Sequence, residues 1–338
     1  MAEAEVVKDV AAVTTITVRA QRTRHAGKFM TRYAAIDMGS NSFHLLMAER
    51  SDNDHPAKIV RRIKQKVRLA ADFNEYQSHI GSDAVARASE CLKQFSLALA
   101  AFKPDLILAV ATAAMRQADN QTEVLTKLQR ALGQPIEIIS GRTEAAIIFR
   151  GVTQHLQHQE NVLVMDIGGA STEVILGQPH HHASVLNSVE LGCVTQQSRF
   201  FSDGRISAEA VNAAVSHAET QLAAIAGDYQ HANWHTTLGA SGTFRALAEM
   251  AAAENRSLID ANWVDEVIVR CIQQGHIQRL RFSGLRQDRR AVLIGGLTVL
   301  RGLIRSLGFN QISVSQGALR EGLLAILCDP TPQLPQLG

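Results

Sequence analysis

A chain of 338 residues, 46% hydrophobic and 20% charged, has the make-up of a soluble globular protein of about two domains. No stretch reaches the roughly 18 consecutive apolar residues of a membrane span, and a formal net charge of +2 gives no general pull toward nucleic acid or anionic membranes. Cys91, Cys193, Cys271 and Cys328 stand far apart without a C-x-x-C pair, which argues against a zinc knuckle or a disulfide framework and predicts reduced thiols in a cytoplasmic protein.

Residues 1–30 are rich in Ala, Val and Thr, carry Arg19, Arg22, Arg24 and Lys28, and lack the apolar core of a secretory signal; a flexible extension is expected. Strands are expected over 33–37 and 43–49, joined by the turn Asp37-Met38-Gly39-Ser40-Asn41-Ser42, and then over 58–69. Val85, Ala88, Leu92 and Phe95 recur at helical spacing and predict a helix over 81–101 with Ser82 as its N-cap. Strand 105–111 runs into Thr112 and Arg116, and helix 121–132, strand 135–139 and helix 141–155 follow, the last opening on Ser140-Gly141 with Glu144 in its first turn.

The second half reads as strands 161–166, 172–177 and 183–191, then helix 207–226, strand 235–239, helix 242–253, a helical stretch around 286–307, strand 311–315 and helix 317–328. Its first two strands flank Asp166-Ile167-Gly168-Gly169-Ala170-Ser171, with Glu173 just beyond. The interval from Asp37 to Asp166 equals that from Thr112 to Ser241 and from Arg116 to Arg245. Glu144 pairs with Arg320 at a longer interval, and the helical stretch around 286–307 accounts for much of the excess. Matched spacing at separate places points to internal duplication, with strands followed by alternating helices and strands building a mixed sheet in each half. The expected division is 31–157 and 158–338, with the last helix packing back on the first half.

Each Asp-containing hairpin offers backbone N–H groups and one carboxylate, a combination suited to a phosphate and its metal. Gly39, Ser40, Asn41 and Ser42 form one such turn; Gly168, Gly169 and Ser171 form the second. Gly239, Ser241, Gly242 and Thr243 form a third at a helix N-terminus, where free N–H groups and the helix dipole favour anions. Taken singly, each is equally an ordinary glycine-bearing turn. Asp166 and Glu173 are the best metal pair, whereas Glu144 read alone is as well explained as a carboxylate complementing the helix dipole. The run Lys58, Arg61, Arg62, Lys64, Lys66, Arg68 is either a solvated face or a track whose alternate members meet a polyanion. The run His180-His181-His182 has no carboxylate or cysteine beside it, and loop histidines are the simpler reading. Few aromatics argue against a nucleic-acid stacking surface.

These phrases together resemble the exopolyphosphatase / guanosine pentaphosphate phosphatase (Ppx/GppA) family of the actin-like ATPase superfamily. The resemblance runs from about Tyr33 to Leu327. It rests on Asp37-Met38-Gly39-Ser40-Asn41-Ser42-Phe43-His44, Ala111-Thr112-Ala113-Ala114-Met115-Arg116, Ile139-Ser140-Gly141-Arg142-Thr143-Glu144-Ala145 and Asp166 through Glu173. It continues in Leu191-Gly192-Cys193-Val194, Gly239-Ala240-Ser241-Gly242-Thr243, Gly295-Gly296-Leu297 and Leu319-Arg320-Glu321-Gly322-Leu323-Leu324. The family pattern has a third glycine at Ala170 and an acid at Thr143. The short form is expected, without the helical C-terminal region that resembles HD-type phosphohydrolases.

The resemblance implies an α/β fold of two duplicated actin-like (ribonuclease H-like) half-domains, with five-stranded mixed sheets flanked by helices and the active site in the cleft between them. It implies a phosphohydrolase with Glu144 as general base, Arg116 and Thr112 as phosphate contacts, and Mg²⁺ near Asp166 and Glu173. Divergence between the halves makes Asp166 the metal end and Asp37 the phosphate-positioning end. Exopolyphosphatase is the leading expectation. Guanosine pentaphosphate hydrolysis, or phosphate transfer to a nucleotide diphosphate, is the alternative. A cytoplasmic homodimer with no nucleic-acid or membrane partner completes it.

Overall fold

The computed structural model describes residues 30–51, 55–73, 77–181, 183–230 and 232–329. The extension expected over residues 1–30, Met30 apart, and His182 lie outside them. The first half holds β1 (Thr31–Met38), β2 (Ser42–Arg50), β3 (Lys58–Lys66), α1 (Ser82–Phe102), β4 (Leu106–Ala111), α2 (Ala113–Gln117), α3 (Gln121–Leu132), β5 (Glu137–Ile138) and α4 (Gly141–Thr153). The second holds β6 (Val162–Ile167), β7 (Thr172–Gly177), β8 (Ala183–Val189), α5 (Cys193–Phe200), α6 (Ala208–Ala226), β9 (Thr236–Ala240), α7 (Ser241–Ala253), β10 (Ile259–Asp260), α8 (Ala261–Gln274), α9 (Leu293–Leu307), β11 (Gln311–Val314) and α10 (Leu319–Leu327).

The first sheet runs β3-β2-β1-β4-β5 and the second β10-β11-β9-β6-β7-β8. In each, three antiparallel strands are followed by two parallel ones, so β6-β7-β8-β9-β11 repeats β1-β2-β3-β4-β5. The duplicated fold is therefore present, with one change: the second sheet has six strands, because β10 adds to the edge of β11. Ile259 is buried there, and Asp260 accepts from Trp263 N at 2.9 Å to cap α8.

Central strands are apolar on both faces because both faces are covered. Ala34, Ile36 and Met38 of β1 join the core under α1 and α3, whereas Tyr33 and Ala35 face the other way. In β6, Leu163, Met165 and Ile167 enter the second core, and Val162 and Val164 meet Tyr33 and Ala35 in a shared cluster with α4 and α10. The period of two along a strand makes this division. Helices α4 and α10 thus lie between the two sheets, crossing at glycines. A Cβ on Gly151 would fall 2.2 Å from Ala318 O, and one on Gly322 would fall 2.0 Å from Ile147 O. Arg150 adds a bidentate pair to Asp329 at 2.8 Å beyond the end of α10.

Some local expectations change. Strand β3 stops at Lys66 rather than 69, because Val67 and Arg68 turn their N–H groups onto Asn41 O and Arg68 adopts φ 53°. The N-cap of α1 is Gly81, not Ser82, which is the first helical residue. The stretch around 286–307 divides into a 3-10 turn, Gln287–Val292, and α9. Helices α5 and α8 were not foreseen. The polar sequence of α5 hides two buried amides: Gln196 Nε2 donates to Ala214 O at 2.8 Å with its Oε1 2.9 Å from His217 Nδ1, and Gln197 Nε2 donates to Phe201 O at 3.3 Å.

Candidate active site

Asp37 closes β1 opposite His44 in β2, and Asp166 closes β6 opposite Glu173 in β7, the same register position in both halves. The first turn is pinned from outside: the carbonyls of Ser40 and Asn41 accept from Ala70, Val67 and Arg68. The second closes on itself through Gly168 N donating to Ser171 O at 2.9 Å. The two turns meet, for a Cβ on Gly169 would lie 2.8 Å from Ser40 Cβ and 3.4 Å from Asn41 N. Only glycine permits that approach. Ala170 in this turn is buried and does not adopt positive φ, so the alanine is accommodated without strain.

The third turn joins them. Ser241 holds φ 68° and donates its hydroxyl to Ile167 O at 2.9 Å, tying the N-terminus of α7 to the end of β6. Strained backbone of this kind persists where surroundings over-determine it. Thr112 and Thr243 are buried beside their turns, and Gly242 lies against the Arg289 guanidinium. Gly239 stands one residue earlier, inside β9, where its bare Cα makes room for the Phe244 ring; packing accounts for this glycine rather than the turn.

Glu144 is buried in the first turn of α4. The cap is local: Ser140 Oγ accepts from Thr143 N at 3.1 Å, and the Ser140 and Thr143 hydroxyls hydrogen-bond at 2.9 Å. Arg116 Nη1 donates to Glu144 Oε2 at 3.2 Å and to Ile139 O at 2.9 Å, so the carboxylate is held by a guanidinium itself anchored on backbone. Burial, then the Glu173 carboxylate, push the Glu144 carboxyl well above its ordinary value, and Arg116 opposes them. Asp166 and Asp37 act on it in the same upward sense, so the carboxylates of both halves lie within electrostatic range of Glu144.

Glu173 is raised to about 7 by burial and by Asp166, against the hydroxyls of Ser171 and Ser188; Ser188 Oγ donates to Glu173 Oε1 at 2.8 Å. Asp166 is raised to about 6, chiefly by burial, against the Ser241 hydroxyl. Among the described residues no group of three or more His, Cys, Asp or Glu side chains forms a metal cage. Mg²⁺ needs only one or two carboxylates, with water and phosphate oxygens completing its shell. Two buried acids facing each other across β6 and β7, each driven toward its neutral form, fit such an ion.

Folded Glu173 binds its proton more tightly than unfolded Glu173, so its cost to folding is absent below about 4.5 and complete once pH passes about 7. Glu173→Gln is expected to match the parent's stability near pH 5 and exceed it at pH 8 by on the order of 2 kcal/mol in metal-free urea titrations. Millimolar Mg²⁺ should then stabilise the parent at pH 8 and not the variant.

Alternate members of the basic run face the second half. Arg62 lies 3.6 Å from Glu321, Lys64 3.9 Å from Asp288, and Lys66 Nζ donates to Asp288 O at 3.0 Å. Burial first, and Arg289 second, bring Lys64 down to about 8. His44 Nδ1 sits 3.4 Å from Asp37 Oδ2 with neither ring nitrogen in hydrogen-bond geometry, and burial lowers its proton affinity. His180 Nε2 lies 2.6 Å from Leu156 O, and Trp263 is buried with its Nε1 donating to Glu254 at 3.0 Å. Ser188 is an addition the sequence reading did not place in the site, and Arg320 is buried. Ser188 stands directly opposite Glu173 across β7 and β8, a register no local signal encodes.

Residues 48–329 match the Ppx/GppA phosphatase family. The chain belongs to that family. Ppx/GppA relatives include the guanosine-5'-triphosphate,3'-diphosphate pyrophosphatase of Aeromonas hydrophila, 39% identical over 86% of this chain and 58% of that protein. The protein of the same description from Vibrio campbellii is 37% identical over 89% and 60%. This chain thus spans a little under two thirds of the length of these relatives. Among Ppx/GppA structures, an exopolyphosphatase from Cytophaga hutchinsonii superposes with a TM-score of 0.80 at 25% identity, covering 88% of this chain and 98% of that one. The Aquifex aeolicus PPX-GPPA enzyme gives 0.69 at 24% identity, covering 88% and 99%, and shares the fold. No helix among the described residues is long and apolar enough to cross a membrane.

Proposed function

We propose that this chain hydrolyses a terminal phosphoanhydride and releases orthophosphate, with guanosine pentaphosphate as its main substrate and inorganic polyphosphate as the second. The observation that carries the reaction is Glu144, buried, raised in proton affinity and oriented by Arg116 where the turns of the two halves approach. Anhydride cleavage needs neutralised charge, a positioned water and a group to take its proton. Backbone N–H groups of 39–42, 169–171 and 241–243 offer donors for phosphate oxygens, and Arg116 offers positive charge. Glu144 takes the proton as the water oxygen bonds to the terminal phosphorus; the bridging P–O bond breaks and its electron pair leaves with the remaining phosphates. Its raised proton affinity makes it a stronger base than a solvated glutamate. Mg²⁺ held by Asp166 and Glu173 would supply charge neutralisation at the phosphate oxygens. Asp37 is given the phosphate-positioning role.

The sequence reading placed polyphosphate first. The guanosine-5'-triphosphate,3'-diphosphate pyrophosphatases at 37–39% identity support the guanosine nucleotide instead, and the Cytophaga exopolyphosphatase supports polyphosphate as second. A cytoplasmic homodimer rests on the family resemblance. Initial rates of phosphate release on guanosine pentaphosphate and on polyphosphates of several lengths, with Mg²⁺ titrated, test the order. A higher kcat/KM on guanosine pentaphosphate is expected, and a preference for long polyphosphate would reverse it. Repeating the assay with added ADP distinguishes hydrolysis from transfer, since ATP formation in place of free phosphate would mark a phosphotransferase.

A further inference from the structure

The duplication sets Arg116 against Arg245, and Glu144 against Arg320. In the first half this pairing is an ion pair. In the second half both positions are cationic. Arg320 opens α10 and is only 9% exposed, yet its guanidinium makes no hydrogen bond or ion pair among the described residues. Arg245 lies in the first turns of α7; its Nη2 donates to Gln316 O at 3.0 Å and its buried Nε has no partner. Burial, and Arg320 after it, lower the proton affinity of Arg245, so the two charges are close enough to repel. Both also act on Asp166, but neither forms an ion pair with it. A buried arginine beside a half-buried one whose Nε is buried without a partner carries a desolvation cost that an anion joining them would offset.

We propose that Arg245 and Arg320 form an anion subsite for a phosphate group of the substrate, standing in the second half where Glu144 and Arg116 stand in the first. This rests on the phosphohydrolase reading above and gives it a specific charge clamp. Planar guanidinium forks bind phosphate oxygens bidentately and do so best when desolvated. The clamp would take the excess negative charge of the phosphate chain on the side of the cleft away from the base. Both arginines project from the starts of helices, where backbone N–H groups add to the attraction.

The test uses the Glu144→Gln protein, which should bind without turnover, with tripolyphosphate and Mg²⁺ in isothermal titration. Adding Arg320→Gln should weaken binding at least tenfold, Arg245→Gln several-fold, and the two together less than the product of the single effects, because they share one ligand. Thermal stability of the full chain should stay level or rise in Arg320→Gln, since a partnerless buried charge is removed. Unchanged affinity in Arg320→Gln, or a large drop in its melting temperature, would overturn the subsite and leave the phosphohydrolase reading standing. Failure of the parent to bind tripolyphosphate and to release phosphate from any substrate would overturn both.

Discussion

Glu144→Gln is expected to lower kcat by about 10²–10⁴-fold while substrate affinity changes little. Glutamine keeps the volume and one acceptor oxygen for Arg116, which remains anchored on Ile139 O. What it loses is the capacity to take a proton. The same change should not unfold the protein. Burial and Glu173 make the ionised Glu144 costly, so at pH 8 an uncharged amide should leave the melting temperature equal or higher. The acid limb of the parent's pH–rate profile should lie nearer neutrality than an ordinary glutamate would give, because the base must be ionised to act. Turnover within a few-fold of the parent would remove Glu144 from the role.

Gly322→Val should be the most disruptive single change to the architecture that holds the site. Its Cβ would stand 2.0 Å from Ile147 O, and a helix carbonyl cannot rotate away as a side chain can. The helices must separate, which opens the cluster of Ile147, Leu323, Val164 and Ala35 between the two sheets. Overpacking commonly costs about 1–3 kcal/mol, and a backbone obstacle puts this case at or above the upper end. A fall in melting temperature of roughly 5–10 °C is expected by calorimetry. Activity should fall as well, since α4 carries Glu144 and α10 carries Arg320. Stability near that of the parent would mean that α10 is not seated on α4 as described.

The local parts of this molecule were legible because they obey local rules. Helix α3 and strand β7 have the boundaries read from sequence, since helical spacing in one and the closing Gly177 in the other mark their ends. The Asp-Gly hairpins and their equal spacing disclosed the duplication before any contact was known. Strand β10 and helices α5 and α8 escaped because short or polar segments gain their order from what they pack against. Gln196 and Gln197 are at home in a buried helix only when Ala214, His217 and Phe201 supply partners.

What the sequence by itself determined is the inventory: two hairpins, a hydroxyl turn, one glutamate after Ser140-Gly141, and arginines at matching positions. Their periodicity and turn chemistry are set by neighbours along the chain. Tertiary structure decided the electrostatics. It brought Glu173, Asp166 and Asp37 close enough to Glu144 to raise its proton affinity, gave Arg116 a carboxylate, and left the Arg320 guanidinium without an ion pair among the described residues. Charge–charge energies depend on burial and separation in space, and neither is written in the order of residues.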